Sequence, residues 1–212
     1  MKILLLSLPR TGSTVFGKAM SLALKTLYLD EPFKKETISS INQNIHQKKY
    51  ELLINTEDVL VKNQYGQLPY IPSIDYEKNY GSFLQLFDRK IFLLRRNIEE
   101  HVESMINLYW VGNHQNKFNQ IHTKYIYEDI PDWFVNKYYT DLKEHITKGT
   151  EFIESHTNFQ NRVFYYEDLF TEKNEKTILS IKEIFPNLDE NILRPYLLPE
   201  KRYRYYKDKT IL

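Results

Sequence analysis

The stretch Met1-Lys-Ile-Leu-Leu-Leu-Ser-Leu-Pro-Arg-Thr-Gly-Ser-Thr14 at the start of the chain decides the fold. A short apolar strand runs here into a polar turn, and apolar residues at helical spacing follow from Val15 to Leu24. Backbone N–H groups at the start of a helix lack partners within the helix, and the helix dipole adds partial positive charge there. A turn of this kind predicts a site for an anion such as phosphate or sulfate.

The spacing of this turn approaches that of a P-loop, G-x-x-x-x-G-K-[ST], with one important difference. The Gly, Gly, Lys and Ser/Thr of that pattern correspond here to Ser7, Gly12, Ser13 and Thr14. The Lys that reaches the terminal phosphates of a nucleoside triphosphate is therefore missing, which argues against an ATPase. Arg10 supplies a cation inside the turn, and its planar guanidinium can bind two oxygens of a phosphate or sulfonate side by side.

Pro9-Arg-Thr-Gly-Ser-Thr14 resembles the 5′-phosphosulfate loop of sulfotransferases that use 3′-phosphoadenosine 5′-phosphosulfate (PAPS). The cofactor-binding residues that this resemblance implies in the loop are Arg10, Thr11, Gly12, Ser13 and Thr14. Taken without the resemblance, the same stretch is an ordinary strand-to-helix turn in which Thr11 or Ser13 caps the helix.

Composition predicts one globular domain over residues 1–212. The chain is 42% hydrophobic and 27% charged, and its net charge of +1 gives no overall field to attract nucleic acid or an anionic membrane. There is no cysteine, and the six histidines show no metal-ligand spacing, so we expect no metal. The apolar run after Lys2 is too short for a signal peptide, and no later run approaches the ~20 residues of a membrane span, which predicts a cytoplasmic protein.

Short apolar strands alternate with helices along the whole chain. This pattern predicts a three-layer α/β/α fold with a central parallel sheet of about five strands, whose ligands bind at the carboxyl ends of the strands. After the first strand, we predict strands near 27–29, 58–62, 90–95 and 161–166, and helices near 37–50, 97–112, 133–156 and 176–185. Residues 63–89 read as loop-rich. Asn97 and Glu100 form a capping-box pattern at the start of the helix near 97–112.

A second motif follows the fourth strand, where Ser104 comes eight residues after Arg96. In the resembled sulfotransferases a strand-ending Arg and a Ser eight residues later bind the 3′-phosphate of PAPS, and the resemblance gives these roles to Arg96 and Ser104. Two anion-binding elements at adjacent strand ends suit a nucleotide with phosphates at both ends of its ribose. By itself, the pair Arg95 and Arg96 favours a solvated strand end that pairs with Glu99 or Glu100, and it is the combination with the loop that favours the nucleotide.

Two further segments resemble the same family. Phe164-Tyr-Tyr-Glu-Asp-Leu169 is similar to its Y-E-D-L segment, whose first residue lies near the adenine, which implies that role for Tyr166. An aromatic strand end packed in the core is the alternative. Lys201-Arg-Tyr-Arg-Tyr-Tyr-Lys207 matches in composition the basic segment that closes over the 3′-phosphate, so Arg202 and Arg204 are candidates for it. A nucleic-acid-binding strand or a charged tail are the alternatives there.

Sulfonate transfer needs a base for the acceptor hydroxyl and cations near the leaving phosphate. Cytosolic members of the family end the third strand with K-x-H, but the corresponding residues here are Lys62-Asn63-Gln64, and Gln cannot accept the proton. Glu31, followed by Pro32, resembles the E-P element of carbohydrate sulfotransferases, where a carboxylate is the base. A surface acid beside a turn is the alternative. We expect partial burial to raise the pKa of Glu31.

The resemblance therefore implies that the catalytic residues are Glu31, Arg10 and Lys62. His101 follows the cap at Asn97, which places it away from Glu31, and we expect it to be a solvated helix residue. The expected activity is transfer of a sulfonate from PAPS to a hydroxyl of a phenol, a carbohydrate or tyrosine, with 3′,5′-ADP as the product and no metal. The alternatives are a P-loop small-molecule kinase that uses Mg²⁺ and ATP, and a non-catalytic nucleotide-binding module. The chain is short for the family, which leaves room for a homo-oligomer that completes the acceptor pocket.

Overall fold

The centre of the computed structural model is a five-stranded sheet; the structure describes residues 1–34, 40–67, 80–115, 130–157, 161–171 and 173–198. The strands are β1 (Lys2–Ser7), β2 (Leu27–Asp30), β3 (Val59–Gln64), β4 (Arg89–Leu94) and β5 (Asn161–Tyr165). Their order across the sheet is β2-β3-β1-β4-β5, and every neighbouring pair is parallel. The predicted parallel sheet of five strands is confirmed.

Helices connect the strands and cover the sheet on both sides. They are α1 (Ser13–Leu24), α2 (Ser40–Asn55), α3 (Tyr80–Leu84), α4 (Ile98–Gln115), α5 (Asp132–Ser155), α6 (Tyr166–Leu169), α7 (Glu175–Ile184) and α8 (Glu190–Leu193), with a 3₁₀ turn at Arg194–Tyr196. The predicted ends of the strands and longer helices lie within five residues of the observed ones, and the largest difference is at the end of α2, predicted at residue 50 and observed at Asn55. The short helix α3 was not predicted and lies in the segment read as loop-rich. None of the described helices is both long and apolar enough to cross a membrane.

Alternate side chains of β1 enter two separate cores, because successive residues of a strand point to opposite faces. Leu4 and Leu6 are buried with apolar side chains of α2 to α5, whereas Ile3 and Leu5 are buried with those of α1, α7 and α8. Each such side chain stabilises the fold by about 1.5–3 kcal/mol when fully buried. The predicted α/β/α layering follows from this alternation.

The strand order places a topological switch at β1. The chain leaves β1 toward β2 and β3 on one side, and then crosses to β4 and β5 on the other side. Ser7, the last residue of β1, pairs with Gln64 of β3 and with Leu93 of β4. The segments that follow these three strands therefore emerge side by side at one edge, which is where open α/β sheets bind ligands.

Candidate functional site

The loop between β1 and α1, residues 8–12, leads into the helix without a capping side chain. Arg10 and Gly12 adopt left-handed conformations, with φ values of 65° and 73°. Gly12 is the N-cap of α1, and no side chain caps the helix; the Thr11 hydroxyl donates instead to the carbonyl of Leu8 at 2.8 Å. The interpretation of Thr11 or Ser13 as a helix cap is therefore wrong, and the first turn of α1 is left without a side-chain acceptor.

Aromatic side chains of α6 and of its C-cap residue pack against this loop. A Cβ atom built on Gly12 would lie 2.4 Å from Phe170 Cε2 and 3.2 Å from Tyr166 Cδ2. The two rings also contact each other, with centroids 5.0 Å apart. Only glycine fits at position 12, both because of its backbone angle and because of these rings. The structure thus brings Tyr166 to the loop.

Helix α4 joins the loop to the second motif. Arg10 Nε donates to Ser104 Oγ at 3.2 Å, and His101 Nε2 donates to the carbonyl of Pro9 at 2.6 Å. The proton on Nε2 is assigned from its partner, because a carbonyl can only accept. His101 and Ser104 are three residues apart on one face of α4. That face packs on the loop, and His101 is only 1% exposed, so the expectation of a solvated histidine is wrong.

The burial of His101 makes the fold sensitive to acid. Burial lowers the pKa of His101 to about 4, from an ordinary value near 6.5. Since the unfolded chain takes up this proton first, the stability that neutral His101 confers is present above pH 6.5 and is lost as the pH falls toward 4. The loss amounts to about 3 kcal/mol. We expect a His101→Gln variant to show a flatter dependence of unfolding free energy on pH in urea titrations; an unchanged slope would contradict this role.

Arg96 is held by the segment that follows β5. Its guanidinium forms a two-pronged ion pair with Asp168 and lies over the ring of Tyr165, 4.4 Å from the centroid. Its backbone N–H donates to Glu167 Oε2 at 3.2 Å. The acids at this strand end are therefore Glu167 and Asp168, and the expected ion pairs with Glu99 or Glu100 are not those observed. The Arg96 side chain is 52% exposed and accessible to a ligand.

The Arg95 side chain, unlike that of Arg96, is largely buried. Its guanidinium lies over the Tyr166 ring, 4.6 Å from the centroid, and its Nε is 3.7 Å from Glu167 Oε1. That Nε atom is buried and has no hydrogen-bond acceptor among the described residues. Arg95 stacks on the tyrosine that the resemblance places near the adenine.

A second group of polar residues lies at the carboxyl ends of β2 and β3. We call it the Glu31 cluster; its members are Glu31, Lys62, Gln64 and Gln67. Lys62 is 1% exposed and pairs with Glu31 and, at 3.3 Å, with Asp30 Oδ1. This pairing follows from the register, because Asp30 lies opposite Lys62 and the Glu31 N–H donates to the Lys62 carbonyl at 2.8 Å.

Lys62 sets the charge state of Glu31. Burial alone acts to raise the pKa of this carboxyl, but the charge and hydrogen bond of Lys62, together with a hydrogen bond from Gln67, outweigh it. The net pKa of Glu31 lies below its ordinary value, so the expectation of a raised pKa is wrong for this arrangement. Glu31 is an ionised carboxylate at neutral pH and is a proton acceptor, but a weak one while Lys62 holds it.

Of the four remaining predicted site residues, the structure describes two. Ser13 is buried and begins α1, and Thr14 is half-buried in its first turn. Arg202 and Arg204 lie outside the described residues. Sequence reasoning missed Asp168, Gln67 and the loop contact of His101. Asp168 belongs to the Y-E-D-L segment, which was a usable signal, whereas nothing in the sequence around Gln67 or His101 marks these contacts.

Within the described part of the chain, no three His, Asp or Glu side chains lie together as metal ligands. The chemistry that the arrangement offers comes from three cations and one carboxylate. Arg10 and Arg96 lie at the ends of β1 and β4, and Lys62 and Glu31 lie at the ends of β3 and β2. Arg10, Glu31 and Arg96 follow their strands and Lys62 lies in the last three residues of β3, so all four lie at the carboxyl ends of four adjacent strands.

No protein-family model matches the chain, and no curated protein matches it either. Among solved structures, it is similar to mouse sulfotransferase SULT7A1 in complex with PAP, with a TM-score of 0.55 and 16% identity over 92% of this chain. The fold is P-loop-like. The chain spans 63% of the length of that sulfotransferase.

A second solved structure, shikimate kinase from Bacteroides thetaiotaomicron, matches with a TM-score of 0.48 and 14% identity, over 88% of this chain and 98% of the kinase. The likeness to the sulfotransferase supports the P-loop-like fold.

Proposed function

We propose that the protein is an enzyme that transfers a sulfonate group from PAPS to a hydroxyl group of a phenol, a carbohydrate or tyrosine, and releases 3′,5′-ADP. The observation that carries the proposal is the contact between Arg10 Nε and Ser104 Oγ at 3.2 Å. It joins the loop after β1 to the helix that follows the Arg–Ser motif. The loop and the Arg–Ser motif are the two anion-binding elements, and together they can bind one ligand that carries two separate phosphate groups.

The loop suits a phosphosulfate better than a nucleoside triphosphate. The Walker lysine position is held by Ser13, which is buried at the start of α1, so this position lacks the cation that a P-loop kinase carries there. Arg10 and the backbone N–H groups at the start of α1 are suited to bind a sulfonate and the adjoining 5′-phosphate without a metal. The structural neighbour in complex with PAP supports this choice.

The second element suits a 3′-phosphate and an adenine. Arg96 presents an exposed guanidinium that already binds two oxygens of Asp168, which is the geometry in which it binds a phosphate. Tyr166 and Arg95 stack beside Gly12 and offer a flat surface to a base. The buried Arg95 Nε, which lacks an acceptor among the described residues, fits a polar ligand at this position.

PAPS, when bound, supplies an activated sulfonate. In the proposed reaction Glu31 accepts the proton of the acceptor hydroxyl at a carboxylate oxygen, and Lys62 Nζ and Arg10 stabilise negative charge at the phosphate. Lys62 keeps Asp30 as a second partner, so it can shift from Glu31 toward a bound anion without losing all its countercharge. Such a shift removes the main influence that lowers the pKa of Glu31 and makes the carboxylate a better base.

The proposal predicts an order of ligands in a thermal-shift experiment. We expect 3′,5′-ADP to raise the unfolding temperature of the wild-type protein more than AMP, and ATP with Mg²⁺ to have little effect. Arg96→Ala should weaken binding of 3′,5′-ADP by about 10-fold to 100-fold, because charge-assisted hydrogen bonds are each worth roughly 1.5–3 kcal/mol. Its effect on AMP, which lacks the 3′-phosphate, should be small.

Arg162→Ala is the matched control, since Arg162 forms an ion pair with Glu183 outside the site. It should bind 3′,5′-ADP as the wild type does.

Turnover is then tested with labelled PAPS and a panel of hydroxyl acceptors. Stabilisation by ATP with Mg²⁺, and none by 3′,5′-ADP, would support a small-molecule kinase instead. Binding of 3′,5′-ADP without turnover of any acceptor would support a non-catalytic nucleotide-binding module.

A further inference from the structure

A tight turn follows β3 and brings Gln67 back to the end of the strand. The Gln67 N–H donates to the Gln64 carbonyl at 3.0 Å, which closes a four-residue turn. Gly66 has a φ of 86° in this turn, a conformation that glycine adopts without strain. The turn at residues 64–67 is thus a defined structure and not an open loop.

Three hydrogen bonds then fix Gln67 itself. Its carbonyl accepts from Asn63 Nδ2 at 2.6 Å, and Asn63 is fully buried. Its side-chain Oε1 accepts from the Gln64 N–H at 3.1 Å, and its Nε2 donates to Glu31 Oε2 at 3.1 Å. The partners settle which end of the amide is which, because Oε1 faces a donor and Nε2 faces a carboxylate. Both ends of the amide are therefore in use.

Both oxygens of Glu31 are occupied, but by different groups. Lys62 Nζ binds Oε1, and Gln64 Nε2 donates to Oε1 at 2.7 Å. Among the described residues, Gln67 donates the hydrogen bond that Oε2 accepts. Rotation about the Cγ–Cδ bond of Glu31 moves both oxygens, so the contacts at Oε1 and the hydrogen bond at Oε2 together hold the plane of the carboxylate. Gln67 supplies the part of this restraint that acts at Oε2.

The backbone of Glu31 adds to this constraint. Its φ is 43°, in the left-handed region that costs a residue other than glycine of order 1 kcal/mol or more. The bond from the Glu31 N–H to the Lys62 carbonyl holds this conformation at the end of β2. A strained backbone and a fixed carboxylate plane at one residue are typical of functional sites.

We propose that Gln67 is a positioning residue, which holds Oε2 of Glu31 and so orients the carboxylate toward the acceptor hydroxyl. This inference rests on the proposed function, in which Glu31 is the base. Because the Gln67 amide is neutral and anchored by the turn at residues 64–67, its hold on Glu31 does not depend on where the charge of Lys62 is directed. The carboxylate keeps its orientation while Lys62 moves to a bound anion.

The charged groups that face Glu31 come from three segments. They are Lys62 on β3, Asp30 at the end of β2, and Lys34 beyond it. The hydroxyl of Tyr28 donates to Asp30 Oδ1 at 3.3 Å and so belongs to the same network. The hydrogen bond from Gln67 favours the ionised form of Glu31. Removal of the Gln67 hydrogen bond therefore raises the pKa of Glu31, while Lys62, Asp30 and Lys34 stay in place.

The test compares the wild type with Gln67→Met, which keeps the length of the side chain and removes the donor. Carboxyl carbon NMR follows the titration of Glu31, with the signal assigned by its loss in Glu31→Gln. We expect an upward shift of the Glu31 titration, a fall in kcat of about 10-fold with KM for PAPS unchanged, and an acid limb of the kcat profile that moves to higher pH.

Gln47→Met is the matched control. Gln47 Nε2 donates to Glu51 Oε1 at 2.8 Å on the surface of α2, so the same chemical contact is removed away from the site. It should leave kcat and the Glu31 titration as in the wild type. An unshifted Glu31 titration in Gln67→Met, or a shifted one with wild-type kcat, would overturn the positioning role. A wild type that turns over no PAPS, together with a shifted titration in the variant, would refute the proposed function but not the contact.

Discussion

Replacing Glu31 by Gln is expected to lower kcat for sulfonate transfer by about 10²-fold to 10⁴-fold, the usual contribution of a general base. Binding of 3′,5′-ADP should change little, because the described contacts of the Glu31 side chain are with Lys62, Gln64 and Gln67, and none is with the loop after β1. Turnover of labelled PAPS measures the first effect, and isothermal calorimetry with 3′,5′-ADP measures the second.

The Glu31→Gln variant is expected to fold, so a fall in its kcat reports the loss of the base and not the loss of the fold. Loss of the Glu31 charge leaves Lys62 with Asp30 at 3.3 Å, so the buried ammonium keeps an anionic partner. Glu183→Gln, which removes a carboxylate from an exposed ion pair with Arg162, is the control and should retain full activity. Equal turnover in Glu31→Gln and the wild type would remove Glu31 from the mechanism.

Gly12→Ala is expected to destabilise the protein by about 2–4 kcal/mol and to abolish its response to 3′,5′-ADP. The left-handed backbone at φ 73° costs an alanine roughly 1 kcal/mol, and the new Cβ would lie 2.4 Å from the Phe170 ring. Overpacking of this kind adds about 1–3 kcal/mol. Any relief of the overlap shifts either the loop or the Tyr166 and Phe170 rings, and both adjoin the proposed nucleotide site. Denaturant unfolding and thermal shift measure the two effects.

Gly66→Ala is the control that separates the cost of a left-handed backbone from the cost of a Cβ atom that overlaps the rings. Gly66 has a φ of 86°, and a Cβ placed there meets no atom within 4 Å. This variant should lose only about 1 kcal/mol of stability. If Gly12→Ala proved as stable as Gly66→Ala, the rings would not constrain the loop as described.

The sheet was predictable because each strand is a short apolar run with a polar break after it. The runs at residues 58–62 and 90–95 were placed within a few residues of β3 and β4. The capping pattern at Asn97 was also confirmed, since the Glu100 N–H donates to Asn97 Oδ1 at 3.2 Å. These features depend on neighbours in the sequence, and local patterns are enough to detect them.

The missed features depend on which distant segments meet. His101 looks like a polar helix residue until α4 is seen to pack on the loop after β1. The pKa of Glu31 cannot be judged without the register that sets Asp30 opposite Lys62. The partner of Ser104 in the structure is Arg10, whereas the motif alone paired Ser104 with Arg96. Tertiary contacts of this kind have no periodic signature in the chain.

The bond between Arg96 and Asp168 has a consequence for which solutes can occupy that end of the sheet. The carboxylate acts as a built-in counter-ion, so the guanidinium is already neutralised before any ligand arrives. A single weak charge such as chloride gains little by replacing Asp168, whereas a phosphate dianion with three oxygens gains more than the carboxylate it displaces. At this strand end Arg96 therefore favours anions that can offer it two oxygens at once over small monovalent ions.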